Sequence, residues 1–98
     1  MTDDSPFDLA LGPAAKRALA DDLSESVAAA IIEFITGALI KGPRVVGKPL
    51  HEPLQGIWAA RRGAYRVLYR IDEPRRTVLV IRIDHRSDAY RPESHGRD

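Results

Sequence analysis

Residues 64–72, Ala64-Tyr65-Arg66-Val67-Leu68-Tyr69-Arg70-Ile71-Asp72, alternate side chains with a period of two. Tyr65, Val67, Tyr69 and Ile71 fall on one face of a strand, and Arg66, Leu68 and Arg70 fall on the other. Two neighbours share this character. Residues 56–61 read as a short strand and residues 77–84 as a longer one, bounded by Arg62-Gly63 and by Glu73-Pro74-Arg75-Arg76. Connectors this short imply antiparallel hairpins. Trp58 and Tyr69 read as core side chains.

Working towards the N-terminus, residues 41–55 hold Pro43, Pro49 and Pro53 together with Gly42 and Gly47, which reads as an ordered loop. Before it, Val27, Ile31, Phe34, Ile35, Ala38 and Leu39 recur at spacings of three and four, the apolar face of a helix that packs on a sheet. Ser24 or Asp22 is positioned to cap that helix, and Gly37 weakens its last turn. Residues 13–23 form a shorter helix with Pro13 in its first turn and Ala14, Ala18 and Leu19 or Leu23 inward. Phe7, Leu9 and Leu11 alternate as a first strand that Gly12-Pro13 ends. The expected fold is therefore α+β, two N-terminal helices packed on one face of an antiparallel sheet, in the order β-α-α-β-β-β.

The 98 residues are expected to form one domain, with a core at about 6–91 and a frayed tail at 92–98 that contains an incidental His95. A 44% apolar and 30% charged composition belongs to a globular chain, not a disordered one. Cysteine is absent, which excludes disulfides, thiolate metal ligands and cysteine nucleophiles. The N-terminus lacks the basic start and apolar run of a signal peptide, and the longest apolar run, residues 27–32, is far too short to cross a membrane. The chain is read as cytoplasmic, with no membrane partner.

A net charge of +1 conceals two unlike halves. Residues 1–33 hold two basic and seven acidic side chains, a net −5, whereas residues 61–91 hold nine arginines and four acidic side chains, a net +5. Arginine's planar fork suits phosphate, so the second half points to a polyanion. The same charge also fits a solvated sheet face.

Four pieces stand in order: Gly56-Ile57-Trp58, the run Arg61-Arg62-Gly63-Ala64-Tyr65-Arg66-Val67-Leu68-Tyr69, the pair His85-Arg86, and Tyr90. Together with the Gly47-Lys48-Pro49-Leu50 loop they resemble the RelE family of ribosome-dependent messenger RNA endoribonucleases, within the RelE/ParE superfamily of type II toxin-antitoxin toxins. The resemblance implies a toxin that cuts messenger RNA by attack of a ribose 2′-hydroxyl on the adjacent phosphate, with no metal and no cofactor. It implies a cognate antitoxin, the ribosome and messenger RNA as partners, and a toxin-antitoxin complex that binds operator DNA. It assigns Arg66 and Arg61 to the scissile phosphate, His85 and Arg86 to proton transfer and charge, and Tyr90 to stacking on or orienting RNA. Lys48, Arg62, Arg70 and Arg82 are candidates for wider RNA contact.

Such chemistry needs a base for the hydroxyl, cations for the phosphate and an acid for the leaving oxygen. The chain departs from its relatives at Ile57, Ala59 and Ala60, where they carry basic residues, which leaves the general base without an assignment. Lys48, His51 and Glu52 are the substitutes within reach of sequence reasoning. Two alternatives stand beside cleavage: a ParE-like toxin that inhibits gyrase by binding, and a degenerate member that only binds antitoxin.

Overall fold

The computed structural model describes residues 5–51 and 55–85. Strand β1 (Asp8–Leu11) runs into helix α1 (Pro13–Arg17), which is continued by a π-wound segment, Ala18–Asp22. Helix α2 (Glu25–Phe34) is capped by Ser24, whose hydroxyl accepts from the Val27 amide at 3.3 Å. It too widens into a π-wound segment, Ile35–Leu39, which contains Gly37. The buried side chains of this layer are Ala15, Ala18, Ala28, Ile31, Ile35 and Leu39. Ala14 and Ala38 were expected inward, but both are exposed. For α1 the inward stripe begins one residue later, because Gly12 packs its backbone against Val80 and so sets the helix rotation.

Residues 43–49 are more structured than a loop. Pro43–Val46 forms a single helical turn, α3, and Gly47–Pro49 forms strand β2 at the sheet edge. Pro43 and Pro49 sit where proline is tolerated, in a first helical turn and at the end of an edge strand, and Pro53 lies outside the described residues. Three further strands follow, β3 (Trp58–Arg62), β4 (Tyr65–Asp72) and β5 (Thr77–His85). The sheet has five strands in the order β1-β5-β4-β3-β2. Its hairpins are antiparallel as expected, but β1 lies parallel to β5, so the sheet is mixed. This follows from the path of the chain. After β1 the helices cross one face, the chain re-enters at the opposite edge, and three successive reversals return β5 to the side of β1.

The core lies between helices and sheet, with Tyr69, Ile31, Ile35, Leu39, Val67, Val78 and Val80 fully buried. Tyr69 stacks near the half-buried Trp58, with ring centroids 6.5 Å apart, and its hydroxyl donates to the Pro43 carbonyl at 2.6 Å. Burial pushes the Tyr69 phenol up to about 12. Gly47 packs so closely against the Tyr69 hydroxyl and the Ala59 carbonyl that a Cβ there has no room. Tyr69 thus ties the α3-β2 turn to the centre of the sheet.

One irregularity reorganises the last strand. Val67 faces Ile83 and Leu68 faces Arg82, but Tyr69 faces Val80, so Ile81 is an extra residue in β5. Before the bulge Val78 and Val80 point inward; after it Ile83 does, and Arg82 and Asp84 turn to the outer face. No helix among the described residues is long and apolar enough to cross a membrane.

Candidate RNA-binding cleft

Strand alternation and register assign the outer face of the sheet row by row. Arg61, Arg66 and Asp84 form one row across β3, β4 and β5. The next row runs Lys48, Ala59, Leu68 and Arg82, from the β2 edge inward. Lys48, Ala59, Arg61 and Arg66, with Val46, Gly47 and Ala60, line an open cleft of about 460 Å³. Among the described residues, Lys48, Arg61 and Arg66 have no ion-pair or hydrogen-bond partner, so their charges are available to an anion.

The alanines of β3 have different meanings. Ala60 is buried and faces the helices, so a cation there would point into the core. Ala59 faces outward and leaves space that the neighbouring Lys48 flanks from the edge strand. Lys48 is therefore the basic side chain beside the position where a cation was missed. His51 is exposed beyond the end of β2, and Glu52 lies outside the described residues.

The other candidates do not all gather here. Arg70 is exposed on the same face, beyond Leu68 and nearer the β4-β5 turn. Arg82 also faces outward, but both its Nε and Nη2 engage Asp84, at 3.3 and 2.9 Å. Arg62 lies in the row of Tyr65 and His85, on the face opposite Arg66. It borders a separate hollow with Ser26, Val27, Ile31 and Tyr65. His85 likewise turns to the helix side, where its ring meets Tyr65 edge to face at 5.1 Å. The structure thus brings Lys48, Arg61 and Arg66 together and separates His85 and Arg62 from them. Arg86 and Tyr90 lie outside the described residues.

Asp84 is the outer-face residue that sequence reasoning passed over. An unbroken strand with Val78 and Val80 inward would also turn Asp84 inward, and only the Ile81 bulge reverses it. The signal was present in the spacing of Val78, Val80 and Ile83, since no strict alternation buries all three.

The frame is thus a helical layer on a five-stranded mixed sheet, with a cationic cleft at one edge of the open face. The family model described as "ParE toxin of type II toxin-antitoxin system, parDE" matches residues 9–90. Toxin RelG of Mycobacterium tuberculosis is 45% identical over 86 residues, 88% of this chain and 98% of that protein. Toxin RelE of the same organism is 45% identical over 91 residues, 93% of each chain. A chain in the crystal structure of the toxin-antitoxin complex RelBE2 from M. tuberculosis superimposes with a TM-score of 0.79 at 44% identity, covering 84% of this chain and all of that one. The chain belongs to the RelE/ParE superfamily of type II toxin-antitoxin toxins.

Proposed function

We propose that this protein is a ribosome-dependent endoribonuclease that cleaves messenger RNA and is restrained by a cognate antitoxin. The observation that carries the reading is the open cleft in which Lys48, Arg61 and Arg66 converge without internal partners. Transesterification passes through a phosphorane with more charge on its oxygens than the ground state has, and oriented guanidinium groups stabilise that increment. Arg66, in the central row, holds the scissile phosphate. Arg61, directly across the β3-β4 pair, binds the same phosphate or its neighbour, and Lys48 closes the edge of the cleft. Arg70 extends the cationic track along the face. Arg86 and Tyr90 keep the roles the family resemblance implies, charge stabilisation and stacking on a base.

The antitoxin partner follows from the likeness to a toxin chain crystallised in a toxin-antitoxin complex. The ribosome is the physical source of specificity in this account, since the open cleft offers phosphate contacts and few groups that read a base. A second reading, gyrase inhibition by binding, is favoured by the family model's ParE description and by the uncharged Ala59. Expression without antitoxin, followed by mapping of messenger RNA ends and of DNA breaks, separates the two. New ends within codons on ribosomes support cleavage, whereas gyrase-linked DNA breaks with intact messages overturn it in favour of the second reading.

A further inference from the structure

We propose that Asp84 is the general base that removes the proton from the attacking 2′-hydroxyl. The inference rests on the endoribonuclease reading and supplies the group that this reading lacks. Asp84 is the cross-strand partner of Arg66, in the same outer row as Arg61. Directly opposed side chains have Cβ atoms about 5 Å apart, so a phosphate held by Arg66 brings its own ribose to the neighbouring carboxylate. His85, the next residue, faces the other side of the sheet and packs on Tyr65. The bulge at Ile81 therefore exchanges the two, placing the carboxylate, not the imidazole, on the side of the cations.

The carboxylate is held in place. Arg82 Nε and Nη2 grip its two oxygens at 3.3 and 2.9 Å, while the Asp84 side chain is 16% exposed and Arg82 is 58% exposed. An ionised carboxylate offers about four lone-pair sites, so a two-pronged arginine leaves acceptor capacity for a hydroxyl. An acidic side chain beside a phosphate site opposes RNA binding by charge. Its placement in line with two phosphate-seeking arginines fits a group that acts on the ribose.

In the step, an Asp84 Oδ accepts the 2′-hydroxyl proton, and the oxygen's electron pair forms the new bond to phosphorus. The bond from phosphorus to the 5′-oxygen breaks, and that oxygen takes a proton from water. The hydroxide so formed recovers the proton from Asp84. The products are a 2′,3′-cyclic phosphate and a free 5′-hydroxyl end, with no net proton change.

Single-turnover cleavage on programmed ribosomes tests this with Asp84→Asn, Asp84→Ala and His85→Ala beside the parent. Both Asp84 variants are expected to lose about a hundredfold or more in cleavage rate. Their binding of a 2′-O-methyl message, which has no proton to give, is expected to be equal to the parent's or tighter, since a negative charge has been removed. Added formate is expected to restore part of the rate to Asp84→Ala, whose truncation leaves room for a small carboxylate, and none to Asp84→Asn. His85→Ala should retain more activity than either. Parental cleavage by Asp84→Asn overturns the inference alone, as does a rate loss matched by weaker binding and unrelieved by formate. A parent that leaves the message intact overturns the endoribonuclease reading, and the inference with it.

Discussion

The arginine-rich half of the chain divides into two regions with opposite fates. Around the β4-β5 turn three arginines have internal work. Arg44 pairs with Glu73, Arg75 pairs with Asp72 at 3.2 Å, and Arg76 donates to the Ser5 carbonyl while its guanidinium lies 4.0 Å from the centroid of the Phe7 ring. At the β2-β3-β4 end Lys48, Arg61 and Arg66 face a common cleft with no such partners among the described residues. Net charge treats the two regions alike. What distinguishes them is which acceptors are free to pair: the Asp84 carboxylate opposite Arg66 is held by Arg82, so the cations of the cleft stay unsatisfied and fit for a phosphate.

The largest effect is expected at Arg66. Arg66→Ala is expected to reduce single-turnover cleavage by about a hundredfold to a thousandfold, the usual cost of one oriented donor to a developing anion. Thermal unfolding of the variant should stay close to the parent's, and parental cleavage would mean that the phosphate is held elsewhere. Lys48→Ala should cost less, about tenfold to a hundredfold, since it removes one charge-assisted contact worth about 1.5–3 kcal/mol. Binding of an uncleavable message at increasing salt checks it. The variant's affinity should also depend less steeply on salt than the parent's.

Tyr69→Phe tests the frame behind the cleft. It leaves the buried Pro43 carbonyl without its donor and should destabilise the fold by about 1–3 kcal/mol, read from denaturant unfolding. A pH series sharpens this. The folded-state phenol is raised from 10.0 to about 12, so its contribution is fully present below pH 10.0 and is lost as the pH climbs towards about 12. Tyr69→Phe should lack that part of the alkaline decline. The smallest effect is expected at the other end of the sheet. Arg75 is 81% exposed and its pair with Asp72 is solvated, so Arg75→Ala should change stability by no more than about 1 kcal/mol and leave cleavage at the parental rate.

Much of this was legible in the sequence because it rests on local periodicity. The alternation of residues 64–72 identified β4 and placed Arg66 and Val67 on opposite faces, and the three-and-four spacing from Val27 to Leu39 identified the helix beneath them. The edge strand β2 was not legible, because three residues with a terminal proline carry no period and gain their order only by pairing with β3. Nor was the parallel placement of β1, which depends on where the chain re-enters the sheet. That Arg61 and Arg66 share the outer face and line one cleft was legible through motif and alternation together. The opposed directions of Asp84 and His85 were missed because one inserted residue, Ile81, reverses every later side chain while leaving the composition of the strand unchanged.

Under the proposed function the unsatisfied cations, and not the arginine content as such, are what let this surface cut RNA. This is tested most directly by comparing the parent with two double variants of equal charge, Arg61→Ala/Arg66→Ala and Arg44→Ala/Arg75→Ala. All three are incubated with programmed ribosomes and an end-labelled message. The account predicts cleavage within a codon by the parent and by the Arg44/Arg75 variant at comparable rates, and an intact message with the Arg61/Arg66 variant. Equal cleavage by all three, or equal loss in both variants, would contradict it.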